Sequence, residues 1–282
     1  MTDPGTETRI DVPVIAAEAF GVLDTGRQIA PFSSRHPAFS LDDAYRVTAA
    51  VRRLRETRGE KPVGRKIGFT NRTTWPDYAP MWGYVYDRTV HDLADLGGFF
   101  SLTGLAEPRI EPEIVFRLAA LPAPDMDERA LLGCIDSVAH GFEIVQSIFP
   151  GWGFTAPDAV VAFGLHGALL LGLWHPVTAH EEWEQALAAF ELDLLCDGVI
   201  VDHGRASNVL GGPLTALRQL VELLAPDAVN SPLAAGEIIT TGTLTRVPPV
   251  GPGEMWSTAL SDVALDGIRV QFSSSAASMD RW

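Results

Sequence analysis

The sequence is poor in cysteine, in long apolar runs and in targeting signals. Cys134 and Cys196 are its only cysteines, which excludes a disulfide scaffold and favours a reducing compartment. The longest apolar run, from Val160 to Trp174, is interrupted by His166 and is too short for a membrane helix. The N-terminus has no basic segment followed by an apolar one, so we expect no signal peptide and a cytoplasmic location.

Positive charge is also scarce, because 21 lysines and arginines stand against 36 aspartates and glutamates. The net charge of −15 argues against sequence-independent binding to nucleic acid or to anionic membranes. A small anionic substrate would therefore need a local cationic pocket. The 26 glycines and 20 prolines are typical of a turn-rich α+β or β-rich enzyme.

Several cofactor and catalytic motifs are missing. The chain has neither G-x-G-x-x-G nor a P-loop, so nothing in it supports a nucleotide cofactor. It also lacks G-x-S-x-G, the most common serine-hydrolase motif. Since no cluster of thiolates or histidines is present, any metal site favours magnesium or manganese over zinc and softer metals.

What the chain does contain is a strand-like stretch, residues 107–116, in which acidic side chains alternate inside an apolar run. Neighbouring carboxylates repel and raise one another's pKa, and a hard divalent cation would relieve this. An exposed edge strand with solvated glutamates is the alternative, and Pro112 is compatible with it. Period-2 geometry places four side chains on the polar face: Glu107, Arg109, Glu111 and Glu113.

Two further residues complete a candidate site. Glu143 is a lone acid in an apolar strand pattern, which is costly unless the acid is paired or binds a metal. Lys66 alternates with Gly64 and Gly68, so we expect it in open space that a ligand can approach, although a surface strand explains the pattern equally well. A bound cation would lower the pKa of Lys66 and make it a general acid or base. Asp87 and Arg109 are further candidates for this site.

Local patterns also predict secondary structure. We expect helices at residues 12–23, from the capping box at Ser40 to Gly59, at 126–139 and from Pro213, and a hairpin at Asp197-Gly198. The polar ends, residues 1–10 and 273–282, are predicted to be weakly specified. On the second helix a solvated basic face is predicted: Arg52, Arg53, Arg55 and Arg58.

Five motifs occur in an order that resembles one family. They are residues 64–70 (GRKIGFT), 107–113 (EPRIEPE), 142–147 (FEIVQS), 210–217 (LGGPLTAL) and 235–242 (AGEIITTG). Together they resemble the 2-keto-4-pentenoate hydratase and 4-oxalocrotonate decarboxylase family, within the fumarylacetoacetate hydrolase superfamily. The resemblance extends from the second helix to the last strand.

The resemblance implies an α+β fold, a mixed β roll or sandwich with a largely helical N-terminal portion. It implies residues 1–95 as that portion, including the lysine strand, and 96–282 as the metal-binding core. Mg²⁺ or Mn²⁺ would be held by Glu111, Glu113 and Glu143. The catalytic residues would be Lys66, Asp87 and, where the family pattern changes, His166. A homo-oligomer that acts on a small 2-oxoacid is expected. Glu107 and Arg109, which flank the metal ligands on the acidic strand, are expected to form an ion pair.

In this family's chemistry the metal chelates the 1-carboxylate and 2-oxo oxygens of a 2-oxo-4-enoate or its dienol and stabilises an enolate. Hydratases then add water to give a 4-hydroxy-2-oxoacid, and we expect this activity. The alternatives are decarboxylation of an oxalocrotonate-type diacid and carbon–carbon hydrolysis of an acylpyruvate. A fold that binds metal and oxoacid without turnover is the non-enzymatic alternative.

Three departures from the family pattern concern the substrate's tail. Residues 162–166 read AFGLH where Asp-Asn-Ala-Ser is common in the family. A polar residue that could position water is therefore missing, or His166 takes over its role. Residues 146–148 read QSI where Asp-Ser-Arg is common, so an arginine that could hold a distal carboxylate is absent there. The loop at 71–81 is rich in aromatic residues. We therefore expect a bulkier or less charged tail.

Overall fold

The computed structural model describes residues 10–178 and 180–274, so nearly all of the two polar ends lies outside the described residues. Its helices are α1 (Val12–Val22), α2 (Phe32–Arg35), α3 (Leu41–Thr57), α4 (Glu128–Leu132), α5 (Ala156–Val161), α6 (His180–Ala189) and α7 (Pro213–Leu224). Its strands are β1 (Pro62–Gly68), β2 (Met81–Tyr86), β3 (Val90–Asp92), β4 (Phe99–Ser101), β5 (Arg109–Leu118), β6 (Ile135–Val145), β7 (His166–Pro176), β8 (Glu191–Cys196), β9 (Val199–Arg205), β10 (Ile238–Thr240), β11 (Met255–Ser261) and β12 (Arg269–Ser273).

The strands form two mixed sheets. A seven-stranded sheet has the order β2-β1-β10-β5-β6-β7-β3, and a five-stranded sheet has the order β4-β12-β11-β8-β9. The long hairpin of β5 and β6 lies at the centre of the larger sheet, and β10 joins it to β1. This arrangement brings the lysine strand and both glutamate strands into one sheet. The predicted α+β fold with a mixed β architecture is confirmed.

Two helix N-termini and one hairpin turn lie where the local sequence predicted them. Asp11 caps α1, and Ser40 and Asp43 form the reciprocal capping box of α3. The turn between β8 and β9 contains Asp197 and Gly198, both with positive φ, as a tight hairpin requires. These features depend only on residues near one another in the chain, so the sequence was sufficient to predict them.

The helix predicted at residues 126–139 is wrong. Only Glu128–Leu132 is helical, and β6 begins at Ile135 and pairs with β5 on one side and β7 on the other. The apolar residues of this segment fit helical spacing, but the ladders on both sides of β6 satisfy its backbone and bury its side chains. Tertiary pairing overrides the local pattern here.

The two parts expected from the sequence share the larger sheet. Strands β1, β2 and β3 precede residue 95, and β5, β6, β7 and β10 follow it. Helices α1, α3 and α5 pack together against one side of this assembly, over an apolar cluster that includes Phe32, Val47 and Phe149. The division at residue 95 stays a prediction about folding units.

None of the helices in the described part of the chain combines the length and the apolar character that a membrane span needs.

Candidate metal centre

Three glutamates meet on one face of the larger sheet. Glu111 and Glu113 point to the same side of β5, and Glu143 lies directly opposite Glu111 in the register of β6. One carboxylate oxygen from each residue lies within 4.8 Å of the others. Glu111 is 6% exposed, and Glu113 and Glu143 are 0% exposed. The solvated edge strand that the sequence left open is therefore excluded.

Lys66 reaches this cluster from β1. Its Nζ donates to Glu143 Oε2 at 2.7 Å and to Oε1 at 2.8 Å, and the residue is only 2% exposed. The expectation that Lys66 stands in open space is wrong. The neighbouring glycines allow close packing instead, because a Cβ on Gly64 would lie 2.0 Å from the carbonyl oxygen of Ile238.

His166 contacts the same carboxylate. Its Nδ1 lies 2.7 Å from Glu143 Oε1, and its Nε2 lies 2.8 Å from the hydroxyl oxygen of Thr89. Burial lowers the pKa of His166, which favours a neutral ring that donates from Nδ1 to the carboxylate. The Thr89 hydroxyl then donates to Nε2, with the Tyr86 carbonyl 2.9 Å away as its alternative acceptor. Thr89 escaped sequence reasoning because only the pairing of β3 with β7 brings it here.

Gly242 holds Glu113 through its backbone. The amide N–H of Gly242 donates to Glu113 Oε2 at 2.7 Å, while Glu113 Oε1 is buried without a partner. Gly242 has a φ of +92°, and a Cβ there would lie 1.8 Å from Thr70 Oγ1. A residue with a side chain would therefore clash with Thr70. The sequence placed Gly242 in a family motif but gave no sign of this contact.

The buried charges perturb one another strongly. Burial, followed by the charges of Glu143 and Glu111, raises the pKa of Glu113 well above its usual range. Burial also raises the pKa of Glu111 to about 7, against the opposing effect of Lys66. For Glu143, burial alone would raise the pKa, but the Lys66 ammonium and His166 outweigh it and lower the pKa to about 2.

The pKa of Lys66 is raised, because the carboxylates of Glu143, Glu111 and Glu113 outweigh the effect of burial. A bound cation is expected to lower the pKa of Lys66 in the metal-loaded site. The carboxylates around Lys66 act in the opposite direction and raise its pKa. Lys66 is therefore an ammonium group among these neighbours.

The residues of this cluster fit a hard divalent cation. When all three carboxylates are ionised, as metal ligation requires, the cluster with the Lys66 ammonium has a net charge of −2, which such an ion neutralises. All candidate ligand atoms are oxygens, as magnesium, calcium and manganese prefer. The Oε1 atom of Glu113 is a buried acceptor without a hydrogen-bond partner. Among the described residues, this is the cluster whose acidic side chains could enclose a metal.

The structure places the Asp87 carboxylate at the turn after β2 and not among the three glutamates, and its catalytic role stays a prediction. Asp87 is exposed, and its carboxylate accepts from the backbone N–H groups of Lys61 and Arg88. Lys61 precedes Lys66 by five residues, about 16 Å along an extended strand. Asp87 therefore stabilises the turn after β2, where local hydrogen bonds satisfy its charge.

A cleft opens beside Lys66 and Glu111. The aromatic content predicted for the loop at residues 71–81 reaches the cleft through Trp75. Behind it, Tyr78, Trp152 and Phe154 form a continuous aromatic cluster. The remaining wall is mostly apolar and includes two threonines: Phe69, Met81, Val145, Leu165, Thr70 and Thr243.

Comparison with known proteins identifies the family. The chain is 30% identical over 255 residues to the 2-hydroxyhexa-2,4-dienoate hydratase of Comamonas testosteroni, covering 88% of this chain and 91% of that enzyme. The chain belongs to the 2-keto-4-pentenoate hydratase and 4-oxalocrotonate decarboxylase family. No protein-family model matches the chain.

Solved structures agree with this family membership. The 4-oxalocrotonate decarboxylase from Pseudomonas putida G7, complexed with magnesium and adipate, superposes with a TM-score of 0.83 at 26% identity, covering 95% of this chain and 99% of that one. The fumarylpyruvate hydrolase from Pseudomonas aeruginosa, in complex with Mn²⁺ and pyruvate, has a TM-score of 0.54 at 12% identity, covering 74% and 88%. The latter likeness shows the superfamily fold alone.

Proposed function

We propose that this member of the hydratase and decarboxylase family is a metal-dependent hydro-lyase. It adds water to a 2-oxo-4-enoate, or to its dienol, and releases a 4-hydroxy-2-oxoacid. The observation that supports this most strongly is the buried meeting of three glutamates with Lys66, in a chain that is 30% identical to a dienoate hydratase. Small 2-oxoacids are thus its proposed partners, and assembly into a homo-oligomer stays a prediction.

Glu111, Glu113 and Glu143 would hold Mg²⁺ or Mn²⁺. When bound, the cation supplies Lewis acidity for the carboxylate and 2-oxo oxygens of the substrate. Gly242 fixes Glu113 and leaves one oxygen of that carboxylate free. Lys66 and His166 fix Glu143 and together engage both of its oxygens. The protein thereby presents its ligand oxygens in a preset arrangement.

Lys66 is the proposed catalytic cation. Lys66 lines the cleft together with Glu111, which supports placing its ammonium beside the negative charge of a bound oxoacid. A fixed positive charge in a buried site stabilises an enolate strongly, and the ammonium can also donate a proton. Thr70 and Thr243 line the same cleft, and because their hydroxyls donate to the carbonyls of Thr241 and Thr245, they are candidates for accepting a hydrogen bond from the attacking water.

His166 acts as a positioning residue in this proposal. Both of its ring nitrogens are engaged, one by Glu143 and the other by Thr89, and it is buried. It therefore orients a metal ligand and is not the group that handles the substrate's water. Since no free histidine lines the cleft within the described residues, the acylpyruvate hydrolase alternative loses its main support.

Hydration is tested by incubating the purified protein with magnesium and 2-hydroxyhexa-2,4-dienoate. We expect loss of the diene absorbance and a 4-hydroxy-2-oxoacid in the NMR spectrum. Glu113→Gln should abolish metal binding. Lys66→Met should keep metal binding but lower turnover by about 10²-fold or more. A folded, metal-loaded protein that turns over no dienoate would contradict the proposal, and one that also leaves 2-oxohex-3-enedioate unchanged would support the non-catalytic alternative.

Decarboxylation is the second candidate, and the likeness to the 4-oxalocrotonate decarboxylase favours it. That relative was crystallised with adipate, a six-carbon diacid. Release of carbon dioxide from 2-oxohex-3-enedioate, measured beside hydration of the monoacid, separates the two activities. Carbon dioxide without any hydration product would assign the chain to the decarboxylase branch.

A further inference from the structure

Glu113 is not held in place by the residues that flank the ligands on its strand. Within the described part of the chain, Glu107 and Arg109 do not form the ion pair expected of them. The Glu107 carboxylate accepts the backbone N–H of Gly151 at 3.0 Å, and the central carbon of the Arg109 guanidinium lies 4.3 Å from the centre of the Trp152 ring. The groups that anchor Glu113 therefore lie elsewhere on the sheet.

His140 lies on the opposite face of the same sheet. It precedes Glu143 by three residues in β6, so the alternation of the strand turns its ring away from the carboxylates. In the register of the hairpin it faces Ile114, the residue after Glu113, and it is 1% exposed. An apolar cluster drawn from both sheets covers this face and includes Ile114, Phe142, Trp256 and Val270.

Both ring nitrogens of His140 have partners. Nδ1 lies 3.0 Å from the backbone carbonyl oxygen of Glu113, and Nε2 lies 2.9 Å from Thr258 Oγ1. A carbonyl can only accept, so Nδ1 carries the proton and donates to Glu113. Burial lowers the pKa of His140 to about 4, which leaves a neutral ring whose Nε2 accepts from the Thr258 hydroxyl. The buried ring is therefore fully satisfied, as a polar group in an apolar core must be.

Thr258 connects this ring to the five-stranded sheet. Its hydroxyl oxygen accepts the backbone N–H of Ile268 at 3.1 Å, and its own N–H donates to the Ile268 carbonyl at 3.0 Å. The space beside the ring is closed, because a Cβ on Gly172 would lie 2.7 Å from Ile268 Cγ2 and 2.9 Å from the His140 carbonyl oxygen. His140 thus joins the backbone of Glu113 to a tightly packed part of the second sheet.

We propose that His140 is a positioning residue of the metal centre, acting through the backbone of Glu113. Lys66 and His166 hydrogen-bond to Glu143, whereas Gly242 holds one carboxylate oxygen of Glu113 and His140 holds its main chain. With both ends of this residue fixed, its remaining oxygen keeps one direction. The inference rests on the proposed set of metal ligands. Groups that support a metal ligand commonly change metal affinity by 10- to 100-fold.

The test compares His140→Asn with His140→Gln. The amide nitrogen of Asn can take the place of Nδ1 and donate to Glu113, whereas the longer Gln reaches Thr258 and loses Glu113. Each variant gives up one of the two hydrogen bonds, so a purely structural role predicts similar Mn²⁺ affinities. We expect His140→Gln to bind Mn²⁺ about tenfold or more weakly than the wild type and His140→Asn to lose less than about threefold, measured by calorimetry. Urea unfolding of the metal-free variants checks that both are folded.

Thr258→Val tests the same connection without changing the histidine. It removes the hydroxyl that orients the ring and should weaken Mn²⁺ binding by about threefold or more. Thr48→Val is the matched control, because Thr48 is similarly buried but its hydroxyl donates to the Ala44 carbonyl within α3. Mn²⁺ affinity should be unchanged there. If His140→Gln does not fold, the comparison of these two threonine variants decides the proposal.

Equal Mn²⁺ affinities in His140→Asn and His140→Gln, or in Thr258→Val and Thr48→Val, would overturn the role of His140 and leave the metal site standing. A wild type that does not bind Mn²⁺ would overturn the ligand set and the role of His140 together. A wild type that binds Mn²⁺ but hydrates no dienoate would contradict the proposed function alone, because the comparison of affinities does not depend on turnover.

Discussion

His166 illustrates how one residue orients a ligand of the candidate metal site. It lies between Glu143 and Thr89 and lets the glutamate oxygens accept from fixed donors on two sides. Outer groups of this kind commonly change metal affinity by 10- to 100-fold when they are removed. The sequence marked His166 only as a departure from a family pattern. The contact itself required β6 and β7 to pair.

We expect His166→Leu to weaken Mn²⁺ binding by about tenfold or more, since Glu143 loses a donor. His166→Asn can keep a donor toward Glu143 and should lose less affinity. Calorimetric titration of both variants with Mn²⁺ measures the difference. Wild-type affinity in His166→Leu would show that Glu143 does not depend on this ring.

Gly242 is a second single-residue determinant, and it has a matched control in Gly236. Both glycines have positive φ, but a Cβ at Gly236 would meet nothing within 4 Å. Gly236→Ala should cost about 1 kcal/mol from backbone strain alone. Gly242→Ala should cost clearly more and should also weaken metal binding, because it pushes on Thr70 and moves the amide that holds Glu113. Urea unfolding and metal titration compare them; equal losses would mean that the clash is relieved elsewhere.

At the scale of elements, a buried ion pair fixes α3 against the start of β1. Arg55 is 1% exposed, contacts Glu60 at 2.6 Å and lies 3.7 Å from the centre of the Tyr86 ring. The basic face predicted on this helix is thus wrong at Arg55. Its spacing along α3 turns it toward the sheet, and Glu60, just beyond the helix, compensates its charge.

Removal of Glu60 should therefore be costly. Glu60→Gln leaves Arg55 buried and unpaired, and we expect the free energy of unfolding to fall by about 3 kcal/mol. The double variant Arg55→Met with Glu60→Gln should recover part of this loss. Glu18→Gln, which breaks the solvent-exposed pair with Arg35, should change stability by less than about 1 kcal/mol. Similar losses in both single variants, measured by urea unfolding, would contradict the importance of burial.

At the scale of the whole molecule, the seven-stranded sheet gathers acidic groups that repel one another. Burial raises the pKa of both Glu111 and Glu113, and the charge of Glu143 raises both further. A cation that binds only the folded state stabilises it by mass action. Metal binding and the stability of the fold are therefore expected to be coupled.

We expect Mn²⁺ at about 100 times its dissociation constant to stabilise the protein by roughly 2.7 kcal/mol, and a chelator to reverse this. A rise in melting temperature measured by calorimetry reports the effect. In Glu113→Gln the same addition should produce little or no shift. An unchanged shift in that variant would remove Glu113 from the ligand set.

The sequence by itself determined the features that depend on near neighbours: the caps of α1 and α3, the turn at Asp197-Gly198 and the alternation that places Glu111 and Glu113 on one face. Its ordered motifs also determined the family. Only the tertiary structure decided that residue 135 begins a strand, that Asp87 accepts hydrogen bonds from Lys61 and Arg88, and that Thr89 and Gly242 hold residues of the cluster. Strand register joins residues that are far apart in the chain, and the burial of charges depends on that register. A local pattern contains neither, so these contacts had to be read from the fold.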